Sequence, residues 1–149
     1  MRRGLGLALF LSAATLMSAA CKAPPELRPD QMLRDSLGLS DRDRVHAIGL
    51  STVAGVERPD LEEVIVRQGD HVTFGVHDRR AHSIRFERES LSVAAARWAD
   101  SAGLLRPPLL AVEGTRWILD FRDAPAGRYP YVVLGGGAEG RGALVVEER

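Results

Sequence analysis

From Arg44 onward, the chain consists largely of short segments in which every second residue is apolar. This pattern restricts the chain to a β-rich fold. In residues 71–77 (HVTFGVH), Val72, Phe74 and Val76 alternate with polar or small residues. Successive side chains of a strand point to opposite faces, so this spacing is typical of a half-buried strand. Comparable segments lie at 45–51, 63–67, 82–86, 116–121, 129–133 and 142–147. About seven short strands separated by turns predict an all-β, antiparallel β-sandwich.

Two segments follow a helical period instead. Residues 87–103 form the one clear helical insertion, in which apolar side chains recur every three or four residues and Gly103 can end the helix. A shorter helix is predicted at 31–37, with Asp30 as its N-cap and Gly38 at its end. The stretch between the first two strands, through Arg58, Pro59 and Asp60, is predicted to be a loop.

The first twenty residues have the three parts of an export signal. Arg2 and Arg3 give a positive start, residues 4–20 are apolar and rich in small side chains, and the chain turns polar at Cys21. The apolar run is short for a spanning helix, although a retained membrane anchor is an alternative. Residues 1–20 are therefore predicted to be a signal peptide that directs export.

Cys21 is the only cysteine of the chain, so a disulfide within the chain is impossible. Residues 18–21 (SAAC) resemble a bacterial lipobox, in which the cysteine becomes the lipidated first residue of the mature protein. Ser18 departs from the usual leucine, and ordinary cleavage after Ala20 is the alternative. Lipidation of Cys21 would anchor the protein to a membrane, because two or more acyl chains hold stably where one is marginal.

The segment after Cys21 contains three prolines within residues 22–30. Proline-rich segments are extended, at about 3.1 Å per residue, so we expect a spacer of roughly 25–30 Å between the membrane and the domain. The predicted organisation is a signal peptide at 1–20, a lipidated cysteine with spacer and short helix at 21–43, and one β-domain at 44–149.

Charge gives no reason to expect a nucleic-acid partner. The chain has 20 basic and 20 acidic side chains and a formal net charge of zero. Binding to nucleic acid usually requires a clustered basic face. The predicted contacts are instead with a membrane, through the lipid on Cys21, and with an unidentified protein of the cell envelope.

The order of motifs resembles the cupredoxin family. Residues 64–78 (VIVRQGDHVTFGVHD) are followed by 81–86 (AHSIRF), 117–131 (WILDFRDAPAGRYPY) and a glycine-rich loop leading to 142–146 (GALVV). The resemblance covers roughly residues 45–147, with the helix around Trp98 as an insertion. It implies a Greek-key β-sandwich.

The same resemblance implies a degenerate copper site. Cupredoxins with type 1 copper use two histidines, a cysteine and a weak axial ligand, often methionine. His82 matches the position of the first histidine. The family spacing then places Val133 at the cysteine and Gly136 at the second histidine, while residues 138–141, with Glu139, cover the axial position. No cysteine follows Cys21, no histidine follows His82 and no methionine follows Met32. No cofactor is therefore expected, and bound copper is the alternative.

The remaining histidines allow a weaker metal hypothesis. His77 and His82 flank a short turn, His71 lies on the polar side of the preceding strand, and Asp78 offers an oxygen ligand. The competing interpretation is that His82 caps or hydrogen-bonds the degenerate loop. We expect positive φ angles at the glycines of that loop, which are Gly135, Gly136, Gly137, Gly140 and Gly142.

No residue cluster predicts an enzyme. Ser83, His82 and Asp78 contain the residue types of a hydrolytic triad, but they are crowded into six residues and do not easily adopt the triad geometry. The favoured function is a metal-free, membrane-anchored module that binds or scaffolds at the cell envelope, facing the periplasm or the exterior. The alternative is a weak copper-binding or accessory electron-transfer protein that uses His82. The expected contact surface comprises the insertion 90–103 and the loop, with Arg97, Trp98 and Leu134.

Overall fold

The computed structural model describes residues 22–149, so the predicted signal peptide and Cys21 lie outside the described residues. Its elements are α1 (Gln31–Leu37), β1 (Val45–Val53), β2 (Val56–Pro59), β3 (Glu63–Arg67), β4 (His71–Val76), β5 (Ser83–Phe86), α2 (Val93–Ser101), β6 (Arg116–Asp120), β7 (Gly127–Leu134) and β8 (Gly140–Glu147). Short 3-10 helices lie at Pro25–Leu27 and Arg88–Ser90. No helix in this described part is long and apolar enough to cross a membrane.

The strands form two four-stranded sheets, and the predicted β-sandwich is confirmed. Sheet A has the order β2-β1-β4-β6 and sheet B the order β3-β8-β7-β5. Two neighbouring pairs, β1 with β4 and β3 with β8, run parallel. The sandwich is therefore mixed rather than purely antiparallel, because these strand pairs are joined by crossovers between the sheets instead of hairpins.

The additional strand is β2, which lies where the sequence predicted a loop. Ala54 and Gly55 both have positive φ angles, 50° and 78°. A two-residue turn of this kind matches the twist of a hairpin and pairs β1 with β2. Val56 and Arg58 then point outward, while Glu57 and Pro59 are buried.

The alternating residues of β4 face the core as predicted. Val72, Phe74 and Val76 are buried between the sheets, and Phe74 makes an edge-to-face contact with Tyr131 at a centroid distance of 5.1 Å. The opposite face of β4 is also buried at His71 and Thr73. The segment that precedes β1 covers part of this face, since Glu26, Arg28 and Leu33 line a shared cleft with Thr73.

Helix α1 begins and ends as predicted. The Asp30 side chain accepts a hydrogen bond from the Leu33 N–H at 3.0 Å, and Gly38, with φ of 66°, ends the helix. The longer insertion is divided into the 3-10 helix and α2, because Ser92 caps a new helix by accepting from the Ala95 N–H. Trp98 lies half-buried against Phe121 and Tyr129.

The proline-rich segment differs from the expected extended spacer. Ala23 is 5% exposed, and its N–H donates to the Asp41 carbonyl at 2.8 Å. Leu33 is buried, and Arg116 of β6 pairs with Asp30. The prolines lie in a bent segment with a 3-10 helix instead of a straight rod, because Ala23 and Leu33 on either side of them are buried against the domain.

The loops lie at two opposite ends of the sandwich. The glycine end comprises residues 77–82, 106–115 and 135–139, which are joined by the His82–Leu110 bridge and by pairing of Ser83 with Leu134. The basal end comprises residues 22–23, 38–44, 68–70 and 121–126. Gly69 there donates its N–H to the Phe121 carbonyl, and His71, at the start of β4, donates to the Arg44 carbonyl.

Candidate functional site

A buried histidine held between two carboxylates forms the centre of the glycine end. The His82 side chain has no exposed surface, and its Nδ1 lies 2.7 Å from Oε2 of Glu57. Its Nε2 lies 2.7 Å from Oδ1 of Asp78. Both ring nitrogens of His82 are therefore occupied by acidic partners on opposite sides of the ring.

Backbone contacts fix the position of this ring. His82 exchanges two backbone hydrogen bonds with Leu110, at 2.9 and 2.8 Å, just before β5 begins. The turn of residues 78–81 brings Asp78 back onto the ring, and the Asp78 carboxylate also accepts from the N–H groups of Thr52 and Arg80. The imidazole is held from its backbone and from both nitrogens, which leaves it one orientation.

Glu57 is the second anionic member and is fully buried. Besides His82, its carboxylate accepts from the Thr52 hydroxyl at 3.2 Å and from the Gly137 N–H at 2.8 Å. A buried carboxylate is costly unless hydrogen-bond donors surround it. Three donors from three segments meet this requirement, so Glu57 joins β1, the His82 turn and the glycine loop.

The two short contacts of His82 require two shared protons. An ionised carboxylate can only accept a hydrogen bond, so each contact needs a proton on the ring or on the acid. The group then holds either an imidazolium with two carboxylates, or a neutral ring with one carboxylate and one carboxylic acid. Its net charge is minus one in both forms, and charge-assisted bonds of this type are the stronger ones in proteins.

The contacts of Asp78 lower the pKa of its carboxyl group. Partial burial of Asp78 acts to raise the pKa of its carboxyl group. The hydrogen bond from His82 and the backbone N–H groups of Thr52 and Arg80 outweigh burial and lower that pKa to about 2. Asp78 is thus ionised at neutral pH, and it is the one carboxylate of the group that reaches solvent.

The glycine loop lies directly on Glu57. A Cβ atom at Gly135 would lie 2.7 Å from the Glu57 carboxyl carbon, and one at Gly137 would lie 3.0 Å from Oε1. At Gly140 a Cβ atom would overlap the backbone carbonyl of Glu57. Gly136 is different, since nothing lies within 4 Å of its Cβ position.

The expectation of positive φ angles in this loop was wrong. The glycines with positive φ in the described chain are Gly38, Gly55, Gly69, Gly103, Gly114 and Gly127, and none belongs to the loop. The loop glycines serve close approach instead of left-handed turning, because a side chain would separate the loop from β2. Gly142 follows the same rule, with the Tyr131 ring over its Cβ position.

The residues at the positions of the family ligands make no hydrogen bond to the His82 ring in the described part of the chain. Val133 is buried in the core within β7, and Leu134 is half-buried at the end of that strand. Gly136 and Glu139 are exposed, and Glu139 pairs with Arg85 at 3.7 Å. The acidic residues that contact His82 are Glu57 and Asp78, and neither lies at a position that the cupredoxin ligand spacing predicts.

The donor set does not fit the type 1 copper that cupredoxins bind. Such copper needs a thiolate and two imidazoles, whereas His82 has both nitrogens engaged and no sulfur side chain follows Met32 in the chain. Across residues 22–149, no three His, Cys, Asp or Glu side chains are placed to hold a metal ion together. Glu57 and Asp78 lie on opposite sides of the ring and cannot meet at one ion.

The histidines considered as weak metal ligands are also separated. His77 is exposed, and its ring covers Gly49 on the outer face of sheet A. His71 is buried at the basal end of β4. The alternative interpretation, that His82 bonds the loop, needs correction as well: Glu57 makes the contact to Gly137, and His82 is linked to the loop only through Glu57.

Glu57 was missed because it lies in a stretch without an apolar alternation. The residues Val56 and Arg58 face outward, so the charged residue faces the core, against the usual pattern. The Ala-Gly pair at residues 54–55 was the available signal, since glycine in a two-residue turn between β-branched residues is typical of a hairpin. A hairpin at that point places Glu57 beside Thr52.

A second histidine–carboxylate pair lies at the basal end. His46 Nε2 lies 2.8 Å from Oδ2 of Asp70, and both residues are buried. Burial acts to raise the pKa of Asp70, but the hydrogen bonds from His46 and the Arg67 N–H and the charge of Arg44 lower it on balance. The Arg44 Nε and the neighbouring His71 Nδ1 are buried without a hydrogen-bond partner.

Of the predicted contact residues, Leu134 pairs with Ser83 beside His82, whereas Arg97 and Trp98 belong to α2. Arg97 of α2 is exposed, whereas Trp98 contributes to the aromatic packing at α2. Leu109 and Val112 are exposed large apolar residues of the glycine end, at 67% and 65%. They flank Leu110, whose backbone forms a β-bridge with that of His82.

No protein-family model matches the chain, and no curated protein matches it at a significant level. Solved structures of amicyanin, a cupredoxin, are similar to it. Amicyanin from Paracoccus versutus (Thiobacillus versutus) is 16% identical, with 69% of this chain and 81% of that chain covered and a TM-score of 0.47. A variant of amicyanin in the Cu(I) form is 21% identical, with 83% and 95% covered and a TM-score of 0.45.

A further amicyanin variant, in the reduced state, is 20% identical, with 74% of this chain and 88% of that chain covered and a TM-score of 0.47. Similarities this low concern the fold alone. The fold of this chain is a cupredoxin-like β-sandwich by its two-sheet topology, and no chemistry of amicyanin is carried over to it.

Proposed function

We propose that this protein is a membrane-anchored lipoprotein of the cell envelope whose cupredoxin-like domain works as a metal-free binding or scaffolding module. The observation that carries the proposal is the closed Glu57–His82–Asp78 group. A histidine at the place where the family binds copper is bonded at 2.7 Å on both nitrogens to side chains of its own chain. A ligand to that histidine would first have to break a buried, charge-assisted hydrogen bond.

The group replaces the cross-link that a metal gives to a loop. Glu57 connects β2 to the glycine loop through the Gly137 N–H, and His82 connects Glu57 to the Asp78 turn. Two of its three members, Glu57 and His82, have no exposed surface to offer a bound substrate. The third, Asp78, is engaged by His82 and by the N–H groups of Thr52 and Arg80. We infer that this end of the domain offers a partner a fixed shape rather than a reaction.

Metal retention tests the first part of the proposal. Soluble protein carrying Cys21→Ser is incubated with equimolar Cu(II) or Zn(II), desalted and analysed for metal and for visible absorption. We expect no retained stoichiometric metal and no intense blue band. The alternative of weak copper binding through His82 predicts retention that His82→Gln abolishes, and that result would overturn the metal-free proposal.

The anchor rests on the sequence of residues 1–21, with its positive start, its apolar run and Cys21 after small residues. Fractionation of cells tests it directly. Cys21→Ser should move the protein from the membrane to the soluble fraction, and the mass of the N-terminal peptide should show the lipid on Cys21. Unchanged membrane association of Cys21→Ser would reject lipidation as the anchor.

A further inference from the structure

The chain is fixed to the domain almost as soon as the described residues begin. Ala23 is buried, its N–H donates to the Asp41 carbonyl at 2.8 Å, and its carbonyl accepts from Arg28 Nε at 2.9 Å. Only Lys22 separates Ala23 from Cys21 in the sequence. No more than about two residues of chain therefore connect Cys21 to the first buried contact of the domain.

Contacts further along the segment hold it in place. Pro29 and Leu33 are buried, Arg34 pairs with Asp41 at 3.0 Å, and Asp30 pairs with Arg116 of β6. Release of the segment would expose these apolar side chains and break the backbone contact of Ala23. Residues 23–43 are consequently part of the folded body.

Ala23 lies at the basal end of the sandwich. Its partner Asp41 belongs to the turn that leads into β1, and the next acid in that turn, Asp43, interacts with the charges of His71 and Arg122. Strand β1 then runs nine residues toward the glycine end. At about 3.3 Å per residue, the two ends are roughly 25 Å apart.

We propose that the lipid on Cys21 holds the basal end directly against the phospholipid surface and directs the glycine end into the aqueous compartment. This inference rests on the lipidation in the proposed function. Two residues span about 7 Å, which is much shorter than the separation of the two ends. The basal end can therefore reach the headgroups, while the glycine end stands away from them.

The orientation decides which surface a partner meets. Leu109 and Val112, two exposed large apolar side chains of the glycine end, lie far from the tether and stay accessible from the aqueous phase. At the basal end, the exposed Lys22 and the residues around Asp41 face lipid headgroups. A protein partner in the envelope would thus approach the end that carries the closed histidine group.

Site-specific quenching tests the orientation, because the lipid occupies the only native cysteine and one introduced thiol is then unique. Arg42→Cys at the basal end and Gly136→Cys at the glycine end both replace exposed residues, and Gly136 has open space at its Cβ position. Each lipidated variant is labelled with a fluorophore and bound to phosphatidylcholine–phosphatidylglycerol vesicles that contain a headgroup spin label. We expect loss of fluorescence for the Arg42 label and none for the Gly136 label.

A matched control lengthens the tether. About 20 Gly/Ser residues inserted between Lys22 and Ala23 span roughly 25 Å on average, so the difference between the two labels should disappear while the protein stays on the vesicles. Equal quenching of both labels without the insertion would overturn the orientation. If the protein does not float with the vesicles and its N-terminal peptide lacks lipid, the proposed function fails instead, and the two failures are distinguishable.

Discussion

The two ends of the sandwich each bury a histidine against a carboxylate, but they satisfy it differently. At the glycine end, His82 is bonded through both nitrogens, and Glu57 is surrounded by three donors. At the basal end, His46 contacts Asp70 through Nε2, Arg44 Nε lies 3.4 Å from the same carboxylate without a hydrogen bond, and His71 Nδ1 has no partner.

The difference indicates where the fold depends on polar contacts. The glycine end has a short β2 and a loop of glycines that carry no side chains to pack, and the charged group joins these segments. At the basal end, the N-terminal segment and Phe121 pack against the sandwich. The His46–Asp70 pair there lies in a region that apolar side chains already stabilise. Removal of His82 should therefore lower the free energy of unfolding more than removal of His46.

The largest effect is expected for Gly140→Ala. The new methyl group would overlap the Glu57 carbonyl, and neither backbone segment can move without separating β2 from the start of β8. Loss of at least about 5 kcal/mol of unfolding free energy, or failure to fold, is expected. Gly136→Ala is the matched control, since its Cβ meets open space, and should change the urea midpoint little. Equal midpoints for the two variants would show that Gly140 does not lie against the backbone of Glu57.

The next effect is expected for His82→Ala. This change leaves Glu57 buried without its strongest donor, and breaking a buried ionic group by removing one partner costs about 3–5 kcal/mol. Chemical denaturation measures the loss. His77→Ala, on the exposed neighbouring histidine, should stay within about 0.5 kcal/mol of the wild type. Similar losses for both histidines would contradict the special role of His82.

A smaller loss is expected for His46→Ala at the basal end. One charge-assisted hydrogen bond to Asp70 disappears, which is worth about 1.5–3 kcal/mol, while Asp70 keeps the Arg67 N–H. The same denaturation experiment compares it with His82→Ala. If His46→Ala costs more than His82→Ala, the contrast between the two ends is wrong.

The smallest effect concerns acid. The pKa of Asp78 is about 2 in the folded protein and 3.8 in its ordinary state. The folded state therefore gains stability above the ordinary pKa, and this gain is lost as the pH falls from about 4 to 2. Because Asp78 is partly exposed, the loss is about 1–2 kcal/mol. Asp78→Asn should flatten the dependence of unfolding free energy on pH in this window, and an unchanged slope would contradict the contact with His82.

Much of the fold was predictable because it depends on local patterns. The alternation of Val72, Phe74 and Val76 marked a core strand, and Asp30 with Gly38 marked both ends of α1. These signals lie in adjacent residues. The parallel pairing of β1 with β4 was not predictable in this way, since register between distant strands depends on the whole sandwich.

The candidate site depends on contacts between distant residues and was predicted only in part. His82 was singled out, but Glu57 lies 25 residues earlier in a stretch that was interpreted as a loop. The glycines were noticed for their backbone freedom, whereas their function follows from the nearness of Glu57. The proline-rich segment was interpreted from composition, and the buried Ala23 and Leu33 changed that interpretation.

The most direct test of the central claim is nitrogen NMR of the His82 ring in soluble Cys21→Ser protein. The claim is that Glu57 and Asp78 occupy both ring nitrogens, so these nitrogens do not bind metal. We expect hydrogen-bonded ring protons that exchange slowly with water and ring nitrogen signals that stay unchanged when equimolar Zn(II) is added. A stoichiometric shift of either His82 nitrogen signal on addition of Zn(II) would contradict the account.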